Sequence, residues 1–385
     1  MSLQYWAKSL IDTLLPGLRR GQAAAPPRGR GPVTHVLILD GTMSTLTPGA
    51  ESNAGMAFRL LSELRGVQQS VFYEAGLQWQ DWRHLGGVLM GQGINHQIQR
   101  AYGHLCSRYH PGDRVVLLGY SRGAYAIRSL AGLIDRVGLL RAEHATQRNV
   151  DLAWRHYHRS PNSSAARAYH AAFCHPDVPI AFVGVWDTVK ALGLRLPWVW
   201  KLGAPAHAFH SHQLGASVQR GCHALALDET RVVMEPVLWR TDGDAADHVV
   251  QMWFRGSHGD VGGQLAGFLR ARPLANIPLV WMLEEAEQAG LALPRDWRAR
   301  FVCDPDAPSM GTWRGWGKLF WLRRPRVVGR DPSERVHNSV DRSARADQLS
   351  GLSAAPDERH AQGKGYDHNF ARSTLSDPGR GQEGP

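Results

Sequence analysis

The chain has 385 residues, 43% of them apolar and 20% charged, the composition of a globular protein long enough to bury a full core as one large domain or two. Every apolar run stops short of the ~18 residues needed to span a bilayer, so an integral membrane protein is not expected. The formal charge of +10, from 44 basic against 34 acidic residues, favours polyanions such as nucleic acid or an anionic lipid surface; a solvated basic surface is the plainer reading.

Tyr5, Trp6, Leu10, Ile11, Leu14, Leu15 and Leu18, interrupted by Lys8 and Asp12, read as an amphipathic helix and not as the uninterrupted apolar stretch of a Sec leader. Residues 21–31 are rich in Pro, Gly and Arg and read as a linker. The expected organisation is an N-terminal segment with linker over 1–31, one catalytic-type domain over 32–343, and a disordered tail over 344–385, where Ser, Gly, Asp and Arg leave little apolar periodicity. Cys106, Cys174, Cys222 and Cys303 lie far apart with no CxxC pair. Neither a zinc ribbon nor a dense disulfide framework is indicated, and synthesis in a reducing compartment, the cytoplasm, is the simplest reading.

Within the central region a first strand is expected over 33–39. Ile94, Ile98, Ala101, Tyr102, Leu105 and Tyr109 fall on one face of a helix, followed by a turn at Pro111-Gly112-Asp113 and a buried-type strand Val115-Val116-Leu117-Leu118. Gly119-Tyr120-Ser121-Arg122-Gly123 comes next and runs into a helical pattern, Ala124 to Leu130. Further strands are expected over 180–186 and through Val250, Met252 and Phe254. Strands alternating with helices predict an α/β fold whose mostly parallel sheet is flanked by helices.

A strand, then Gly-x-Ser-x-Gly, then a helix is the context of a nucleophile elbow, in which the chain turns sharply and small glycines let neighbouring backbone approach. Ser121 is therefore the candidate nucleophile of an α/β-hydrolase-like fold. A serine hydroxyl needs a histidine to take its proton and an acid to orient that histidine, in the chain order Ser, acid, His. Asp187 follows the apolar run Ile180 to Trp186 and is the candidate acid; capping of the next turn is its plainer alternative. His258, on a glycine-rich stretch after the strand ending at Phe254, is the candidate base, favoured over His223. Asp260 either orients His258 or holds the loop through backbone hydrogen bonds, the second being favoured. The amides of Arg122 and, after the first strand, Gly41 are candidate oxyanion donors. Leu39-Asp40-Gly41-Thr42 also matches part of the haloacid-dehalogenase phosphatase signature, but Ile38 stands where that chemistry needs its nucleophilic aspartate.

With these motifs in hand, the chain resembles the catalytic domain of the type VI secretion phospholipase effectors, a family of α/β-hydrolase-like proteins. The resemblance runs over roughly residues 33–343. It is carried in order by Leu39-Asp40-Gly41-Thr42, Tyr109-His110-Pro111-Gly112-Asp113, Gly119 to Tyr125, Gly184-Val185-Trp186-Asp187-Thr188-Val189, His223 to Glu229, and Trp253 to Gly263. It implies a Ser-Asp-His triad on Ser121, Asp187 and His258 and the hydrolysis of phospholipid esters. The stretches 141–176 and 191–215 have no counterpart in that pattern and are candidate determinants of substrate choice.

The expected function is hydrolysis of a carboxylic ester, a lipid above all, without metal or organic cofactor. Alternatives are a soluble carboxylesterase or thioesterase and a non-catalytic binding protein on the same scaffold. Trp198 and Trp200, among Leu192, Leu194, Leu196 and Val199, are candidate substrate contacts in a lid or acyl-chain wall, with an ordinary buried segment as the alternative. Trp313, Trp316, Phe320 and Trp321 among Arg314, Lys318, Arg323, Arg324 and Arg326 read as interfacial anchors for an anionic membrane or as core. No nucleic-acid partner is expected, since charge alone supports one. Export by a non-Sec route, a peripheral membrane location and an immunity or chaperone partner are left open by the sequence.

Overall fold

The computed structural model describes residues 31–64, 68–76, 92–189, 213–241, 248–314, 320–341, 345–349 and 352. The amphipathic N-terminal stretch and the residues after 352 lie outside these, as do Trp198, Trp200, Trp316 and Lys318.

Seven strands form one sheet: β1 Thr34–Leu39, β2 Gln69–Glu74, β3 Arg114–Tyr120, β4 Ile180–Trp186, β5 Gly221–Ala226, β6 Val249–Phe254 and β7 Glu334–Val336. Their order is β2-β1-β3-β4-β5-β6-β7 and every pairing is parallel. Strands β3, β4 and β5 are buried along nearly their whole length, as a sheet covered on both faces requires, and this is why they read as continuous apolar runs.

Successive residues of a strand face opposite sides, and the core divides accordingly. Leu37, Leu39, Val115, Leu117, Val183 and Val185 face one layer. That layer comprises α2 Gln92–Cys106, α3 Arg122–Val137, α4 Gln147–Arg159 and α5 Ser164–Phe173. Val36, Ile38, Val116, Leu118, Phe182 and Trp186 face the other, made by α1 Asn53–Ser62 and α7 Arg272–Gln288. The stretch 141–176 thus supplies α4 and α5, and Val150, Ala153, Tyr157 and Tyr169 join the first layer. Past the boundary expected at 343, the turn α8 Ala346–Leu349 adds Leu349, with Leu352, to a cluster of Leu225, Trp253 and Val336.

The strand order reverses around β1, whose neighbours are β2 on one side and β3 on the other. In parallel sheets the crevice for a ligand opens at the carboxyl ends of the strands where this reversal occurs. Here those ends are Leu39, which leads into Gly41, and Tyr120, which leads into Ser121. Among the described residues no helix is long and apolar enough to cross a membrane.

Candidate active site

Ser121 sits between β3 and α3 with φ 57° and ψ −118°, a conformation costly for a residue with a side chain and held only where the surroundings enforce it. The two motif glycines do the enforcing. A Cβ on Gly123 would lie 2.1 Å from the Leu39 carbonyl oxygen, and one on Gly119 would lie 2.8 Å from the Ala124 Cα. Only hydrogen fits at either place, so β1, β3 and α3 close onto one another and raise the serine out of the turn. The Ser121 amide donates to the Trp186 carbonyl at 2.9 Å, tying the elbow to the end of β4.

Asp187 follows β4, fully buried and with φ 42°. Its Oδ2 lies 2.6 Å from His258 Nδ1, and His258 Nε2 lies 2.9 Å from Ser121 Oγ. A carboxylate at Nδ1 assigns the imidazole proton to that nitrogen, so Nε2 presents its lone pair to the serine hydroxyl. The second oxygen of Asp187 accepts the Ala226 amide at 3.0 Å. Arg326 closes the arrangement, donating through Nη1 to Oδ1 at 2.6 Å and through Nη2 to Oδ2 at 2.9 Å. Burial by itself would push the Asp187 carboxyl up. The Arg326 charge, together with the hydrogen bonds from His258 and Arg326, outweighs burial and holds Asp187 well below the usual carboxylate range.

His258 was expected on a glycine-rich loop and instead opens a five-residue helix, α6 His258–Gly262. The glycines serve close packing: a Cβ on Gly262 would enter the Tyr120 ring at 1.8 Å, and one on Gly259 would meet Met310 Sδ at 2.3 Å. Asp260 accepts the Ser257 amide and hydroxyl, both at 2.8 Å, and the Met310 amide at 2.8 Å. Its place in the loop is therefore backbone anchoring. The His258 amide donates to Glu229 Oε2 at 3.1 Å, and Glu229 is itself gripped by the Arg231 side chain. The His258 ring stacks on Tyr120 with centroids 5.0 Å apart. His223, the competing base, is fully buried on β5, where its Nε2 accepts the Thr188 amide at 3.0 Å; burial lowers its pKa to about 3, so it stays neutral there.

Arg122 is the first residue of α3, and the amides of a helix's first turn have no intrahelical acceptor. Gly41 lies beside the site, an added Cβ being 3.4 Å from that of Ser121. Its own amide, however, donates to Asp40 Oδ1 at 2.7 Å, so this N–H is not free for an oxyanion. Asp40 is buried and also accepts from Ser52 and Tyr73, which makes it the brace of the loop that carries Gly41.

The family model described as "T6SS, Phospholipase effector Tle1-like, catalytic domain" matches residues 34–285. The chain belongs to this family. The stretch 34–285 takes in Ser121, Asp187 and His258 but ends before Arg326. Among curated proteins, the chain is 28% identical over 222 residues to the uncharacterized protein YEL023C of Saccharomyces cerevisiae, a match covering 51% of this chain and 31% of that one. Among solved structures it is similar to an uncharacterized protein from Pseudomonas aeruginosa, with TM-score 0.42, 17% identity, and coverage of 79% and 53%. A Tle1 effector solved bound to the VgrG spike of the type 6 secretion system gives TM-score 0.34, 14% identity, and coverage of 61% and 52%. The chain thus spans about a third of the yeast relative and about half of each solved chain.

In the Tle1-like domain the segment after Phe320 divides between the two readings, anchor and core. Arg326, read there as part of an interfacial anchor or of the core, is buried; the desolvated carboxylate of Asp187 draws it inward. Arg323 stacks over the Trp313 ring at 3.7 Å and donates to Thr312 Oγ1 at 2.7 Å, a packed position and not a free cation. Trp321 and Leu322 point outward, 85% and 72% exposed. Glu229 was also missed as a support of His258, although it closes the motif His223 to Glu229 that carried the resemblance. Nothing in the local pattern around residue 326 marks it.

Proposed function

We propose that this chain is a serine hydrolase that cleaves carboxylic ester bonds, with phospholipid esters as its substrate class. The observation that carries the reading is the continuous relay from Asp187 Oδ2 to His258 Nδ1 at 2.6 Å and from His258 Nε2 to Ser121 Oγ at 2.9 Å.

In this scheme Ser121 Oγ attacks the ester carbonyl while His258 Nε2 takes its proton, and Asp187 stabilises the imidazolium that forms. The Arg122 amide, at the positive end of the 16-residue helix α3, is the proposed donor to the oxyanion. A second donor from the 41–44 turn requires a shift of that turn, because the Gly41 amide is held by Asp40. The carbon–oxygen bond to the alcohol then breaks, His258 returns its proton to the leaving alcohol, and water, deprotonated by the same histidine, releases the acyl group from Ser121.

Membership in a family described by its phospholipase effectors supports lipid as the substrate. Exposed Trp321, Leu322 and Val327, with Arg324 beside them, support contact with a lipid surface, since indoles and cations favour the bilayer interface. The same membership supports export by a route other than Sec. The test is fluorophosphonate labelling of wild type and Ser121→Ala, followed by peptide mass spectrometry and assay on phospholipid vesicles and short-chain esters. Labelling confined to Ser121 with faster turnover on vesicles is expected. A folded wild-type protein that takes no label would overturn the serine mechanism, and turnover on short-chain esters alone would replace lipid by a small soluble ester.

A further inference from the structure

We propose that Arg326 is a positioning residue of this site, holding Asp187 ionised and fixed against His258 Nδ1. The inference rests on the serine hydrolase reading above.

Arg326 is itself anchored independently of the acid. Nη1 donates to the Ala226 carbonyl at 2.7 Å as well as to Asp187 Oδ1, and Nη2 donates to the Met234 carbonyl as well as to Asp187 Oδ2. A planar fork fixed at both tips by backbone imposes one orientation on the carboxylate it meets, which a lysine's single charge does not do. Asp187 has a further need for such a partner, because it occupies a left-handed backbone conformation and is fully removed from water. A buried anion without a counter-charge takes up a proton, and a protonated Asp187 loses its charge-assisted hold on the Nδ1 proton.

His258 cannot supply that counter-charge before reaction, because the relay needs its imidazole neutral. Among the described residues, the permanent cation in contact with Asp187 is Arg326. Among the described residues, the other titratable or charged groups around the acid are Tyr120 from β3, His223 from β5, and Arg231 with Glu229 from the segment after β5. Arg231 is already paired to Glu229 at 2.6 Å, and buried His223 is neutral. The segment carrying Arg326 lies beyond the family-matched residues 34–285, so the site's acid depends on a part of the chain outside that match.

The experiment follows fluorophosphonate labelling of the full chain from pH 5 to 9 in wild type, Arg326→Met, Arg326→Lys, Asp187→Asn and the Asp187→Asn/Arg326→Met pair. Arg326→Met is expected to slow labelling at pH 7 by about 10- to 100-fold, the range for losing a group that orients a functional ligand. Its acidic limb moves to higher pH, because Asp187 then protonates within the working range. Arg326→Lys keeps the charge and loses the fork, so its rate falls while its acidic limb stays near that of wild type. In the Asp187→Asn background, Arg326→Met adds less than about three-fold, since the residue it acts through is gone. Full additivity of the two substitutions, or wild-type rate and pH profile in Arg326→Met, overturns the proposal. Should Arg326→Met fail to fold, wild-type labelling by Arg326→Lys overturns it equally. A folded wild type that takes no label removes the hydrolase reading and the role of Arg326 with it, whereas a wild type that labels at a rate Arg326→Met leaves unaltered removes Arg326 alone.

Discussion

Gly123→Ala separates steric fit from backbone strain at the elbow. The added methyl would lie 2.1 Å from the Leu39 carbonyl oxygen, more than 1 Å short of ordinary contact, and 2.5 Å from that of Asp40. Both obstacles are backbone, so no side chain can turn aside; either β1 or the start of α3 has to move. Overpacking of this kind costs about 1–3 kcal/mol, and a displacement of roughly 1 Å between nucleophile and base costs on the order of 10²-fold in rate. Gly112→Ala is the matched comparison. Gly112 has φ 93° on an exposed turn with nothing within 4 Å of an added Cβ, so alanine there costs about 1–2 kcal/mol of conformational strain. Urea melts should find the two variants similarly destabilised, while fluorophosphonate labelling of Ser121 falls in Gly123→Ala alone. Labelling within two-fold of wild type in Gly123→Ala, or parallel losses in both, would refute the reasoning.

Asp187→Asn leaves the Arg326 charge buried without its partner, and the expected loss is about 3–5 kcal/mol in urea denaturation beside a fall in labelling on the order of 10⁴-fold; a variant as stable as wild type contradicts the buried pairing. Acid should destabilise the protein below about pH 6.5, because His223 is buried and His337 half-buried, with pKa lowered to about 3 and about 4. The unfolded chain binds protons there that the native one does not, so stability is full above the unfolded histidine pKa and falls by up to about 1.4 kcal/mol per pH unit for each histidine as pH drops toward 4. Stability that stays flat between pH 7.5 and 5 would contradict it. Trp321→Ser with Leu322→Ser should weaken binding to anionic vesicles at least several-fold and leave short-chain ester turnover unchanged, since both side chains are exposed; equal vesicle binding would remove this patch as the lipid contact.

Much of the fold was legible because its central strands are buried on both faces and therefore read as unbroken apolar runs. Ile180–Trp186 appears where the sequence put it, and β3 extends the expected run only to Arg114 and Tyr120. The short edge strand β7 escaped, since three residues, Glu334–Val336, carry no period. The residues Ser121, Asp187 and His258 were named from strand ends and glycine spacing, and the structure brings their side chains together. What surrounds them was hidden. Arg326 sits in a run of cations and indoles whose composition fits a membrane interface as well as a core, and its inward turn follows from a carboxylate 139 positions away. The engagement of the Gly41 amide depends likewise on whether the preceding Asp40 folds back on it, which no pattern of residue types records.

The placement of His258 shows how much of the site depends on such contacts. Ser121 follows β3 and His258 follows β6, with β4 and β5 between them, and three strand spacings amount to roughly 14 Å. Yet Nε2 and Oγ are 2.9 Å apart, so α6 has to run back across the ends of the intervening strands. Three attachments hold it there: the Gly262 backbone against Tyr120 of β3, the His258 amide on Glu229 after β5, and Asp260 on Ser309 and Met310. Each anchors backbone or ring position, and none fixes the acid. Asp187, at the end of the intervening strand β4, meets His258 Nδ1, and its geometry is set by the Ala226 amide of β5 and the Arg326 fork. Strand ends choose which residue types face the crevice, but the working distances come from groups on the neighbouring strand and the distant C-terminal segment.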